Sequence, residues 1–195
     1  EAIDAYNEVL NIEIGHWDAL NALERIYESR EDWQSVYETF DKMAASSNDD
    51  NQRVELWGKQ AHLASEVLNK PDEAIDLWYQ VIDTLGDNVP ALQNLEVLFT
   101  RQDRWTDVAD VVERQVPLFA DLQDADNQIE AYRKLGRIYR DKLEDNDRSR
   151  DYWRNALEVN PADLESLRAI EAIDEVLEDQ EDLAEVLLQL LNAGV

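Results

Sequence analysis

The sequence predicts an all-α fold, an α-solenoid of antiparallel helix pairs with about eleven helices, and three observations carry that reading. The chain repeats itself: Glu1 to Tyr27 (EAIDAYNEVLNIEIGHWDALNALERIY) returns as Glu73 to Phe99 (EAIDLWYQVIDTLGDNVPALQNLEVLF), each match displaced by 72 positions. Apolar residues recur at the three- and four-residue spacing of a one-sided helix, and no segment alternates as a half-buried strand does. Gly, Pro, Asn and Asp punctuate those stripes where helices should start and stop. A period of a few tens of residues marks units that cannot bury their apolar faces alone and stack to share one core.

In chain order, Ile3, Tyr6, Val9 and Leu10 make the first stripe, and Gly15 closes the connection after it. From His16, residues Leu20, Leu23, Ile26 and Tyr27 form a second helix, and Trp33, Val36, Tyr37, Phe40 and Met43 a third. The turn between them is so short that the two must lie antiparallel. The polar stretch 44–51 ends on capping residues before a fourth helix with Val54, Trp57, Gln60, Ala61 and Ala64 inward. Pro71 stands at the first position of a fifth helix, where its missing N–H is harmless. Gly86 follows that helix, and a sixth begins near Pro90 with Leu92, Leu95, Leu98 and Phe99 inward. Asp103 and Trp105 open a seventh, carrying Val108, Val111 and Val112, which should end or bend near Pro117. The eighth holds Ile129, Tyr132, Leu135, Gly136 and Tyr139, and the ninth Tyr152, Trp153, Ala156 and Leu157. Asn160 and Pro161 read as the cap and first position of a tenth helix with Leu164, Leu167, Ile170, Ile173 and Leu177 inward. An eleventh runs from Leu183 to about Leu191.

The 72-residue echo holds two helix pairs. With Ala2, Val36, Ala74, Val108, Ser149 and Val186 as equivalent points on successive second helices, the steps are 34, 38, 34, 41 and 37. Within the units, Tyr132, Leu135, Gly136 and Tyr139 form a Y-x-x-L-G-x-x-Y run. Ala74 with Trp78, and Ser149 with Trp153 and the later Pro161, form small-x-x-x-aromatic runs. Leu20, Leu23 and Tyr27, and likewise Leu92, Leu95 and Phe99, repeat the first pattern with Glu24 and Glu96 in place of the small residue. On these residues the chain resembles the tetratricopeptide repeat (TPR) family, whose unit is a helix-turn-helix of about 34 residues.

The resemblance implies a right-handed superhelix, a single array over 1–195 with units at 1–14 (a half unit), 16–46, 50–86, 88–119, 123–160 and 162–193. It places Trp57, Ala74, Trp78, Leu95, Phe99, Leu135, Gly136, Tyr139, Trp153 and Pro161 at repeat positions. Half-a-tetratricopeptide repeats are the close alternative. The longer steps of 38 and 41 call for first helices extended by a turn or two around 54–68 and 129–143. A close helix crossing explains Gly136 in a helix interior, where glycine otherwise costs about 1 kcal/mol. Trp57, Trp78, Tyr132 and Trp153 read as packing between units rather than as ligand-stacking rings.

With 18 basic and 45 acidic residues, a formal net charge of −27, the surface repels phosphate backbones and anionic lipid. Nucleic acid and membrane surfaces are therefore poor partners, and basic protein patches good ones; alternatively the acids only solvate the outer face. There is no cysteine and only two histidines, His16 and His62, in different helix pairs and without a triad-like neighbourhood. The glycines are scattered singly, so no phosphate loop exists. The run from Asp145 fails as a calcium loop because Arg150 stands where glycine belongs and Ala156 where glutamate belongs. No stretch reaches the roughly 18 apolar residues of a membrane helix. The expectation is a non-catalytic chain without cofactor or metal, suited to cytoplasm or periplasm. Opening on Glu1 inside a repeat, it reads as an excerpt of a longer array.

One local anomaly remains, in that Arg133, Lys134, Arg137, Arg140 and Lys142 gather five of the 18 basic residues within ten positions. By the resemblance, the first helix of each unit lines a concave groove, and Arg133, Lys134, Arg137 and Arg140 are candidates to hold a partner's carboxylates there. Equally, they neutralise nearby acids such as Glu130, Asp141 and Asp145. The family's carboxylate clamp also needs lysine and asparagine on two preceding first helices, a pattern that Asn21, Gln93 and Asn94 do not reproduce. The expected function is a scaffold or adaptor binding a peptide or protein segment in that groove. The alternative is an oligomerisation or spacer module of a larger envelope or secretion-type assembly, self-associating through the ends of the array.

Overall fold

The computed structural model describes residues 1–177 and 180–192. Among them lie helices and no strand: α1 (Ala2–Ile12), α2 (Trp17–Ser29), α3 (Trp33–Ser46), α4 (Asp50–Glu66), α5 (Pro71–Leu85), α6 (Val89–Arg101), α7 (Trp105–Asp121), α8 (Ala125–Asp141), α9 (Asn146–Val159), α10 (Leu164–Leu177) and α11 (Gln180–Asn192). The last unit's expected end, at 193, lies outside the described residues. The chain divides into two compact units, Glu1–Asn94 and Leu95–Val195.

In the first unit the one-sided stripes of α1 to α4 converge on Leu10, Leu20, Leu23, Val36, Phe40, Met43 and Leu56, with Ile3, Tyr6, Trp33 and Trp57 packed at the margin. Leu56, rather than Val54 or Trp57, is the buried lead of α4, and Trp57 is half-buried. Side chains close the helix starts. The Nδ1 atom of His16 accepts from the Ala19 amide at 3.3 Å, Asp32 from Ser35 at 3.2 Å and Asp49 from Asn51 at 3.0 Å. Pro71 occupies the first turn of α5. Gly15 is needed for closeness rather than for a left-handed turn, since a Cβ there would stand 3.0 Å from the Ser46 Cβ.

In the second unit α8 packs on α7 and α9, and α10 on α9 and α11. Trp153, Leu167, Ile170, Ile173, Val186 and Leu190 share one core. Three expectations are corrected here. Helix α7 does not end at Pro117 but continues to Asp121. Val111, Val112, Gln115 and Phe119 are buried on either side of the proline, and that burial offsets one missing amide donor. Asn160 and Pro161 do not open α10. The Asn160 side chain accepts from the Ala162 amide at 3.2 Å in a turn, and the cap is Asp163, which accepts from the Ser166 amide at 3.1 Å. Leu164 and Leu177 are 40% and 37% exposed, whereas Asp174 is fully buried. The inward face of α10 is rotated toward Asp163, Ser166 and Asp174 because arginines of α8 and α9 meet the two acids there.

The helix pairs turn by a common device. Glu31, Asn69, Asp103 and Glu144, each just past a first helix, have positive φ between 54° and 56°. Their steps of 38, 34 and 41 are those of the corresponding second helices, so the pairs α2–α3, α4–α5, α6–α7 and α8–α9 reverse at the same backbone kink. The longer steps are absorbed in α4 and α8, of 17 residues each, against 13 in α2 and α6.

Two glycines inside these longer helices face tryptophans four residues beyond Ala74 and Ser149. A Cβ on Gly136 would lie 2.5 Å from the Trp153 indole, and Ser149 donates its hydroxyl to the Gly136 carbonyl at 2.7 Å. Trp153 is 1% exposed and has nowhere to yield. Gly58 holds the corresponding place in α4, yet a Cβ there would meet the Trp78 ring at 3.5 Å, ordinary contact. The two Gly→Ala changes therefore carry opposite signs. Gly58→Ala raises stability by up to about 1 kcal/mol through helix propensity, whereas Gly136→Ala loses about 1–3 kcal/mol to overpacking. Urea midpoints of the two variants test this, and a shift in the same direction for both would sink it.

Candidate functional site

The basic cluster of α8 lies in the second unit, and each of its members has an internal partner. Arg133 donates Nε to Asp163 at 3.1 Å and Nη2 to the other oxygen of the same carboxylate, a bidentate grip. Its Nη1 also lies 3.3 Å from Glu165 and 3.4 Å from Glu130. Arg137 donates to Glu165 at 2.6 Å and to Glu130, and its guanidinium lies 5.9 Å from the centroid of the Trp153 ring. Lys134 points to the other side, donating to Glu96 of α6, which also accepts from Gln115 at 2.9 Å. Arg140 departs from the group and pairs with Asp141 at 2.7 Å, and Lys142 lies over the Trp105 ring at 4.4 Å.

Arg133 and Arg137, one helical turn apart, are thus brought together by shared acids, and Lys134 continues the row onto α6. The result is a ribbon of alternating charge across three first helices, with Lys134 41% and Arg137 37% exposed. Of the acids expected to neutralise the cluster, Glu130 and Asp141 do so, while Asp145 instead caps α9 and accepts from the Arg148 amide at 3.0 Å. The partners missed in the sequence are Glu96, Asp163 and Glu165, 38, 30 and 28 residues away from the cations they meet. Only the Asp163-x-x-Ser166 spacing, a helix-cap signal, pointed to one of them.

Two buried acids on α10 answer differently to their surroundings. Burial pushes the Asp163 carboxyl up, but bonds from Arg133 and Ser166 outweigh it and hold the group below its ordinary value. Burial of Asp174 dominates, and its carboxyl is raised even though Arg150 donates to it at 3.2 Å. The repeat positions are mostly core: Ala74, Trp78, Leu95, Phe99, Leu135, Gly136, Tyr139 and Trp153 are buried, Trp57 is half-buried and Pro161 is exposed in its turn. His16 is a helix cap, and His62 sets its edge against Trp78 at 5.3 Å. Among the described residues no group of acids and histidines is arranged to hold a metal ion, and no helix is long and apolar enough to cross a membrane.

Comparison with known proteins agrees with this architecture. Residues 19–54, from α2 through α3 into α4, match the tetratricopeptide repeat family. Solved helical-repeat proteins superpose on most of the chain. MamA aligns with a TM-score of 0.51 at 16% identity, covering 89% of each chain. A Podosopora anserina kinesin-light-chain-like protein with nearly identical TPR-like repeats gives 0.51 at 13% identity, covering 92% of this chain and 95% of its own. YrrB, a TPR protein with an unusual peptide-binding site, gives 0.50 at 13%, covering 98% and 93%. No curated protein sequence matches. Over residues 19–54 the chain is thus similar to a tetratricopeptide repeat, and its fold is that of the solved repeat proteins on which it superposes.

Asp163 makes the ribbon pH-sensitive with a definite sign. Its folded-state pKa is depressed, so its contribution is complete above about pH 4, the unfolded carboxylate value, and is lost as the pH falls through the lower folded value. Asp163→Ala removes both the cap and the partner of Arg133, and should cost roughly 2–4 kcal/mol at neutral pH. Denaturation followed from pH 7 to pH 2 checks this. The variant should close the gap to the parent toward acid, and a gap that widens contradicts the assignment.

Proposed function

We propose that this chain is a non-catalytic interaction scaffold that binds a peptide or protein segment along the first helices of its second unit. The supporting observation is the part of the ribbon at Arg137, Glu130 and Glu165, where a half-exposed cation is held by acids that are themselves 47–49% exposed. Exposed ion pairs are worth only about 0–1 kcal/mol, so an incoming carboxylate exchanges with Glu130 or Glu165 at little cost. Arg137 is then the exchanging cation, Arg133 and Lys134 the ones anchored on the less exposed Asp163 and Glu96, and Arg140 the outer edge of the surface. An array of tetratricopeptide fold suits this role, and YrrB, similar in fold, is described by its peptide-binding site.

A second reading rests on a different surface. Leu187, Leu188 and Leu191 are 45%, 61% and 70% exposed on α11. Apolar residues so grouped favour self-association as an oligomerisation or spacer module.

A random peptide library panned against the chain supplies a ligand for the test. In the scaffold reading, Arg137→Glu weakens the selected peptide by about tenfold or more, equivalent to about 1.4 kcal/mol, while its melting temperature shows the variant folded. Unchanged affinity removes the ribbon as the site. Light scattering over a concentration series decides the second reading: a mass that rises with concentration supports it, and a constant monomer mass disposes of it.

A further inference from the structure

Away from the ribbon, the second unit holds a cavity of about 400 Å³ lined by Glu113 of α7, Tyr139 of α8, and Arg148, Asp151, Tyr152 and Asn155 of α9. Its size falls in the range of small-ligand sites, roughly 300–1,000 Å³. Tyr139 and Tyr152 stack with ring centroids 5.2 Å apart at 18° and donate their hydroxyls to the same oxygen, Oε1 of Glu113, at 3.0 and 2.6 Å. Two donors on one oxygen fix the carboxylate, and neither tyrosine engages Oε2. The burial of both phenols, together with this acid beside them, raises their pKa values. Asp151 adds a second, exposed carboxylate at the mouth.

The chain itself shows which group such a site receives. The Arg148 guanidinium lies 5.4 Å from the Tyr139 centroid and donates Nη1 to the Tyr139 hydroxyl at 3.3 Å. Yet Arg148 is 64% exposed and its ion pair with Asp145 is long, at 3.6 Å. It is a weakly held occupant. A guanidinium prefers this combination of aromatic face and fixed carboxylate oxygen because it satisfies cation–π attraction and charge-assisted hydrogen bonding together.

We propose that this cavity is an arginine-binding subsite, with Arg148 an internal placeholder that yields to an arginine side chain of a basic partner polypeptide. The chain's net charge of −27 favours the approach of such a partner. The site is independent of the first-helix ribbon, so its failure leaves the scaffold reading untouched.

The test uses acetyl-Gly-Arg-Gly-amide and its lysine and citrulline counterparts, with the Tyr139 and Tyr152 ring resonances followed by NMR titration. The arginine peptide should shift both rings saturably. Arg148→Ala, which vacates the placeholder, should tighten binding by about threefold, the scale of one exposed cation–π contact. Glu113→Gln retains an acceptor for the tyrosines but removes the charge, and should weaken binding about tenfold. Arg137→Glu, on the ribbon, should leave this titration unchanged. The proposal is overturned if the citrulline peptide binds as well as the arginine one, if the lysine peptide matches it, or if no saturable shift occurs with the Arg148→Ala protein. Loss of the parent's tyrosine dispersion in Glu113→Gln would mark misfolding, and Asp151→Asn then serves as the charge-removing variant, with weakened binding expected and unchanged binding overturning the assignment.

Discussion

The second unit depends on the contact between Gly136 and Trp153. An indole that is almost wholly buried occupies the space a Cβ would take, and Ser149 reaches across to the Gly136 carbonyl. This contact fixes how closely α8 and α9 approach, and therefore where the flanks of α8 point. On one flank Arg133 and Arg137 are turned toward Asp163 and Glu165, on the other Lys134 toward Glu96 of α6, and the Arg137 guanidinium lies against the Trp153 ring. At the C-terminal end Tyr139 is carried against Tyr152. A single close approach thus sets both the charge ribbon and the tyrosine cavity.

A chain this acidic must arrange its few cations carefully. Arg133 and Arg150 meet the buried carboxylates Asp163 and Asp174, so these positive charges join helices rather than merely cover the surface. The two acids differ in consequence. Asp163 combines a helix cap with a bidentate arginine and gains from being ionised, whereas Asp174 retains a buried oxygen without a hydrogen-bond partner and is held at some electrostatic cost. Asp174 stands where the motif has an aromatic in Tyr27, Phe99 and Tyr139. The polar substitution follows from Arg150 reaching the same place from α9.

Much of this was legible in the chain. The apolar stripes of α2, α5 and α6 and the small residue at Gly136 announced themselves because they follow from local helix geometry. The misread places are those where a local signal competed with a tertiary one. Pro117 looked like a place where the helix ends or bends, and of these the end is excluded, because buried neighbours carry α7 past it. Asn160 and Pro161 looked like a helix start, but Asp163 had an arginine as well as a serine to bind. Leu164 and Leu177 extended an apolar stripe, yet α10 turned its acids inward. For the two acids the deciding arginines lie 30 and 24 residues away, and spacing within one helix carries no record of them.

The sequence by itself determined that the chain is a run of paired helices, since periodicity, caps and the 72-residue echo are properties of neighbouring residues. It also located the basic cluster. Only the tertiary structure decided what that cluster does within the fold, because Glu96, Asp163 and Glu165 approach it from other helices. The same holds for Glu113 and the two tyrosines, which are unremarkable letters on α7, α8 and α9 until packing brings their oxygens together. Side-chain chemistry is written in the sequence, but the distances that turn it into a site arise when helices cross.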